Sequence, residues 1–388
     1  MSQVEAPELK EDEIQTASVN YIDCLNLPSK SQVLIITDLI PEGVHQLDPN
    51  KQVRDDIARR IQRQLDSQQT VSTIRFDGSM SKDDIQAYTA QAIQELGELK
   101  EEDGDDNLTI VYLGDAWNNR RGIYDAATFA GSEREVRVAG SLGFSTGDCR
   151  VMSQMGSEQR RIIQETNQYF ETFFSEQPQG TFILETTDGN NQQYSLEIDY
   201  NTESSPFETE LGRFDPGYKI KKRDYEYVNI PGGEKFGCPF PFENTHGQFF
   251  AEGIRFTVEK GMAIGAEIID SSLVVAESSQ TELLRIIHEG GSIPVAELGL
   301  GFYALAGVQT YPDSSVLSRE KQGPHIGMGN DPNGKSPEGG ILKERSGDFY
   351  HTDFVLGKEV VIKYKDPQMD QVTVFYPPLS PQTYKISV

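Results

Sequence analysis

Residues 31–38 read SQVLIITD, a short unbroken apolar run that ends on a carboxylate. Strands buried on both faces of a parallel sheet have this composition, because neither face can be polar. Val53, Ile57, Ile61 and Leu65 follow at four-residue spacing and predict a helix over about 51–68. VSTIRF (71–76) reads as a second strand. Ser81 and Asp84 form a capping-box signal ahead of a second amphipathic stripe, Ile85, Tyr88, Ile93, Leu96 and Leu99. LTIVYL (108–113) supplies a third strand. This β-α-β-α-β order implies a parallel sheet with crossover helices. Residues 1 to about 30 show no clear period and read as an extension of this domain.

Such a domain often binds nucleotides, but here the strand at 31–38 runs into DLIPEG, with no G-x-G-x-x-G turn to admit a pyrophosphate. It reads as scaffold, dimer support or a pocket wall. A helix over about 155–175 carries an aromatic stripe that belongs in a core. TFILETT and QQYSLEIDY then flank Asp188-Gly189-Asn190-Asn191, a hairpin signal. From there strands and turns alternate, interrupted by one helix near 278–289. The expected fold is an α/β parallel-sheet domain over 1–200, followed by a mainly antiparallel, metal-binding domain over 201–388. The composition change itself falls between 140 and 225.

The chain has 388 residues, 36% of them apolar, with a mean hydropathy of −0.51. That length exceeds one ordinary core, and no stretch approaches the roughly 20 apolar residues that cross a bilayer. The polar, acidic start MSQVEAPELKEDEIQ lacks the basic and apolar regions of a secretory signal, and Cys24, Cys149 and Cys238 are few and scattered. Both features read as cytoplasmic. The net charge of −26 repels phosphate backbones, so nucleic acid is not expected as a partner. The charge reads first as solubility and an acidic or salt-adapted proteome, and second as a field that attracts cations, among them metal ions and the ammonium end of a peptide.

Chemistry concentrates late in the chain. His351 and Asp353 form H-x-D in FYHTDFVL, and on a strand residues two apart share a face, so both can grip one ion. His325 opens a glycine-spaced strand, HIGMG. Glu297 sits inside the apolar run IPVAELGLG, where an unpaired carboxylate is costly and wants a cation. Glu234 lies on the Pro231-Gly232-Gly233 turn. Two histidines and three carboxylates exceed the needs of one catalytic zinc and suit two ions bridged by a carboxylate and a water. Residues 329–336, GNDPNGKS, satisfy the phosphate-loop pattern, but Pro337-Glu338-Gly339-Gly340 follows where a helix must start. They read instead as a glycine-rich loop. His246, in ENTHGQFF, reads as a surface-turn residue.

In order and local context these residues resemble the thermophilic metallo-aminopeptidase family, the leucyl-aminopeptidase-like group of the aminopeptidase T and S type. The family's P-x-G-E-x-F-x-x-P is similar to Pro231–Pro239, its E-x-G-x-G to Glu297–Gly301, its H-I-x-x-G to His325–Gly329, and its H-x-D to His351–Asp353. The resemblance is specific over about 225–360. It implies a cytoplasmic homodimeric hydrolase with two divalent ions (Zn, Co, Mn or Mg), in which the water between them attacks the first peptide bond of a peptide or small amide. Glu234, Glu297, His325, His351 and Asp353 would be the ligands, with Glu297 bridging. The family's tyrosine seven residues after the H-I-x-x-G histidine is here Pro332. Losing a transition-state donor costs about 10²- to 10³-fold in rate. Tyr350, Tyr303 and Lys335 are the candidates to replace it, with Tyr350 preferred, so that Glu234, Glu297 and Tyr350 are the expected catalytic residues. Phe302-Tyr303-Ala304 also stands where a polar, asparagine-containing stretch is commoner. Two alternatives share the fold: an Fe(II) ring-opening dioxygenase using His325, His351 and Asp353 as a facial triad, and a non-catalytic binding or scaffold protein.

Overall fold

A computed structural model describes residues 9–28, 31–40, 48–77, 79–98, 107–114, 117–131, 135–214, 225–274, 278–329, 351–357, 359–368 and 371–376. The chain packs as two compact units. One comprises Met1–Ile162, Glu210–Gly233 and Ala306–Arg319; the other comprises Ile163–Thr209, Glu234–Leu305 and Glu320–Val388.

The first unit opens with α1 (Glu11–Leu25), then alternates β1 (Gln32–Asp38), α2 (Pro49–Leu65), β2 (Thr70–Phe76), α3 (Lys82–Glu98), β3 (Asn107–Leu113), α4 (Trp117–Gly131), β4 (Glu135–Gly140) and α5 (Thr146–Gln154). The long helix α6 (Ser157–Glu176) leads to β5 (Gln179–Thr187), β6 (Gln193–Asn201) and β7 (Glu208–Glu210) of the second unit. The chain then returns as β8 (Glu226–Asn229), which completes a five-stranded sheet of order β2-β1-β3-β4-β8, parallel throughout. Val33 to Ile36 are fully buried, as the apolar run predicts. The expected four-residue stripe of α2 is buried, and Ser81 caps α3 by accepting from the Asp84 backbone N–H at 3.2 Å.

The second unit continues through β9 (Glu234–Gly237), β10 (His246–Ala251), β11 (Ile254–Glu259), β12 (Met262–Ile268), α7 (Ser278–His288) and β13 (Ile293–Gly301); α8 (Val316–Glu320) belongs to the first unit as far as Arg319, and β14 (Pro324–Gly329), β15 (His351–Val355), β16 (Val361–Lys365) and β17 (Val372–Tyr376) complete the second. Its sheet runs β15-β14-β13-β12-β11-β10-β6-β5-β16-β17, with β9 joining β13 and β7. The described ladders of this sheet are antiparallel, and the β5–β6 hairpin turns on Asp188 as expected. The expected pairing of a parallel α/β part with a large antiparallel sheet is therefore present.

Two local expectations fail. Residues 11–25 form a helix whose buried face is Ile14, Ala17, Ser18, Tyr21, Cys24 and Leu25. The spacing is helical, but alanine and serine dilute its apolar signal. Tyr88, placed in the α3 stripe, is instead half exposed and leans edge-on against Phe76. All three cysteines are reduced and buried. Among the described residues no helix is long and apolar enough to cross a membrane.

Candidate metal centre

The antiparallel ladder puts all five sequence-selected ligands on one face. Residues directly opposite in such a ladder share a face, and so do residues two apart on one strand. Glu234 pairs with Gly301, and His325 pairs with Gly299. Glu297 pairs with Gly327, which in turn pairs with Asp353, while His351 pairs with Gly329. Every ligand candidate thus stands opposite a glycine. The alternate positions Leu298, Leu300, Ile326, Met328 and Phe354 point the other way and are buried.

Those glycines are spatial requirements. A Cβ on Gly299 would lie 1.9 Å from His325 Nε2. One on Gly327 would lie 2.6 Å from the His351 ring and 2.8 Å from Glu297 Cβ, and one on Gly301 would lie 2.5 Å from the Lys321 backbone. Removing these side chains opens a trough above the sheet, and the imidazoles and carboxylates fill it. Gly233 supplies a positive φ of 150° immediately before Glu234, setting the entry of that residue into β9.

Within the trough, Glu297 lies between the two histidines. Its Oε1 is 3.3 Å from His325 Nε2 and its Oε2 is 3.7 Å from His351 Nε2. His351 Nε2 is 3.1 Å from Asp353 Oδ1, and His325 Nε2 is 3.6 Å from Glu234 Oε2. One ligand atom each from Glu297, His351 and Asp353 fall within 4.8 Å of one another. Donors held tetrahedrally at zinc bond lengths stand about 3.3 Å apart, so these spacings fit an ion. A second observation agrees. Glu234 Oε2 is buried and has no hydrogen-bond partner among the described residues, a costly state for a carboxylate oxygen unless a cation takes it. The His325 Nδ1–H donates to the Glu320 carbonyl at 3.0 Å, which fixes the tautomer and turns Nε2 toward the carboxylates.

The electrostatics follow from crowding acid groups in a buried place. Burial disfavours a charged His325, but the Glu297 hydrogen bond and the charges of Asp353 and Glu234 outweigh it and raise the ring to about 10. Burial pushes the Asp353 carboxyl up, and the His351 and His325 rings pull it further down, well below its ordinary value. Glu234 is raised by burial against the opposing Lys321 charge.

Two residues at this site carry no sequence signal. Glu320 and Lys321 sit in SREKQG, which reads as an exposed charge run, yet both are buried. Lys321 Nζ lies 3.0 Å from Glu234 Oε1 and 2.6 Å from Glu320 Oε1. Burial lifts Glu320 to about 8. The only available hint was position, five and four residues ahead of His325. Tyr303 is fully buried just past β13, with its backbone N–H donating to the Lys321 carbonyl. Phe302 stacks on Phe170 in the same core. Tyr350, Pro332 and Lys335 lie outside the described residues, as does the 330–336 part of the phosphate-loop pattern. His246 is exposed, its ring against the Asn244 carbonyl, in the turn position expected of it.

No protein-family model matches the chain, and no curated protein matches it. Among solved structures, wild-type AmpT (aminopeptidase T) from Thermus thermophilus is similar at a TM-score of 0.55 and 14% identity, over 95% of this chain and 98% of that one. The chain therefore shares, distantly and along nearly its whole length, the fold of that aminopeptidase.

Proposed function

We propose that the chain is a metal-dependent, aminopeptidase-like hydrolase, with divalent ions held by Glu234, Glu297, His325, His351 and Asp353. The observation that carries this reading is Glu297, one oxygen toward each histidine and flanked by glycines that keep its trough open. The AmpT-like fold supports it independently. When bound, the ions supply Lewis acidity and a water of lowered pKa.

The chain's own residues do the rest. Glu297, with one oxygen toward each histidine, would be the ligand shared by the two ions. His351 and Asp353 form the more exposed wall, at 13% and 10% side-chain exposure against 1% for His325, so a peptide's first amide enters from their side. Glu320, its carboxyl raised by burial, holds the Lys321 ammonium at 2.6 Å and so orients it on Glu234. Tyr350, next to His351 in the chain, is the proposed donor in place of the tyrosine that Pro332 displaces. On this reading the protein is a cytoplasmic homodimer acting on a peptide or small amide, with no nucleic acid or membrane partner.

The test is release of amino-terminal residues from a peptide library by protein reconstituted with zinc, cobalt or manganese. Activity lost on chelation and restored by one of these ions is the expected result. A metal-replete preparation that cleaves no peptide would falsify the proposal.

A further inference from the structure

The five ligand candidates do not converge equally. Glu297, His351 and Asp353 bring one donor each within 4.8 Å of one another. The Glu234 and His325 side is different. Glu234 offers Oε2 toward His325 Nε2 at 3.6 Å, but its other oxygen is already held by the Lys321 ammonium at 3.0 Å. Lys321 is completely buried, and its second carboxylate contact, Glu320, is buried with it. The ammonium can neither leave for water nor be screened by it. An ion arriving between Glu234 and His325 meets a fixed positive charge on the far side of its own ligand, and a ligand whose electrons are already shared. At Glu297 the neighbouring base is the His325 ring, 3.3 Å away, whose Nε2 can exchange its proton for a metal, whereas the lysine ammonium stays a cation.

We infer that Lys321 is a built-in cation that makes the two ion positions unequal. One divalent ion is retained at Glu297, His351 and Asp353. A second is taken up at Glu234 and His325 only in competition with the Lys321 ammonium, and exchanges readily. This rests on the metal-dependent reading above and adds the residue that ranks the two positions.

The experiment counts metal and requires no turnover. Full-length protein is loaded with excess zinc, dialysed against metal-free buffer, analysed for zinc by mass spectrometry, and then titrated calorimetrically with zinc. The expected result is about one ion retained per chain and a second that titrates at least about tenfold more weakly. Lys321→Met removes the competing charge and should tighten the second ion by about 10- to 100-fold, so that both survive dialysis. Because this substitution also strips two buried carboxylates of their partner, two further variants stand beside it. Glu234→Gln should still retain one ion, and Asp353→Asn should retain none. Two ions retained with equal affinity by the unaltered protein would overturn the inference while leaving the metal-dependent reading intact. So would loss of the retained ion in Glu234→Gln, or a folded Lys321→Met protein with an unchanged second affinity. No ion bound at any zinc concentration would overturn both.

Discussion

In the parallel-sheet unit Asp38 meets the Arg54 guanidinium at 2.6 Å and Glu226 meets Arg137 at 2.9 Å, so each of these two carboxylates has its own strong cation. In the antiparallel sheet Glu234, Glu297, Glu320 and Asp353 are grouped around the Lys321 ammonium and two imidazoles. Both arrangements bury acids, and burial of an acid demands compensation. These two pairs of the first unit are compensated by the chain's own guanidinium groups. The second unit leaves a buried Glu234 oxygen without a hydrogen bond among the described residues and draws a histidine proton up to about 10. Self-neutralised carboxylates mark structure, whereas carboxylates pooled over weak bases mark a place built for an external cation.

Substituting one acid from each unit probes this contrast most severely. Asp353→Asn should cut kcat/KM for peptide hydrolysis by about 10³-fold, because the several kcal/mol that a metal supplies to the transition state go with the ion. Asp38→Asn should leave kcat/KM within a factor of two and cost about 1–3 kcal/mol in denaturant unfolding, the usual loss when a buried charged hydrogen bond is weakened. Equal effects on activity would erase the distinction between the two regions.

Glycines give the next largest separation. Gly299→Ala drives a methyl into the His325 ring and should destabilise by about 3 kcal/mol, at the upper end for overpacking, with loss of bound metal. Gly97, in α3 of the parallel-sheet unit, has nothing within 4 Å of its added Cβ, so Gly97→Ala should raise stability by about 0.5 kcal/mol through helix propensity. Chemical denaturation of the two variants reads both signs.

Chelation should lower stability by about 2.7 kcal/mol if the protein is held at a hundredfold excess of free metal over its Kd beforehand. The Arg54–Asp38 pair makes no demand for metal, so Asp38→Asn should show the same drop on chelation as the unaltered protein. A chelation effect that shrinks in Asp38→Asn would tie the parallel-sheet unit to the metal.

The pH dependence of stability separates the two regions as well. In the metal-free protein His325 binds its proton more tightly folded, at about 10, than unfolded, near 6.5. Its contribution to stability is therefore complete below about pH 6.5 and is lost as pH rises through about 10. Glu320, raised to about 8 by burial, loses stability in the same direction, from about 4.5 upward through 8. Thermal melts of metal-free protein should fall steadily between pH 6.5 and 10. Saturating zinc, which takes Nε2 without a proton, should flatten the curve. A metal-free melt that rises across that window would contradict the proton placement.

Much of this architecture was legible because its signals are local. Val33–Ile36 announce a buried parallel strand without reference to any other residue, and H-x-D places two ligands on one face by strand period alone. The E-x-G-x-G and H-I-G-M-G spacings likewise carry a glycine on every second residue, the period of a strand face. Other features were not legible. The face of α1 is built partly from Ala17 and Ser18, which have too little apolar surface to stand out. The return of β8 to the parallel sheet, 86 residues after β4 ends, is a choice among pairings that no short window encodes.

By itself, then, the sequence determined the β1-α2-β2-α3-β3 order, the two kinds of sheet and the five ligand candidates, since strand period, apolar runs and glycine spacing act within a few residues. Only the tertiary structure decided which glycine faces which ligand, because register is set by pairing across β9, β13, β14 and β15. It also decided the fate of Glu320 and Lys321. Their charges predict exposure, and only the backbone packed over Gly301 carries them into the trough, where the lysine shares Glu234 with whatever cation arrives.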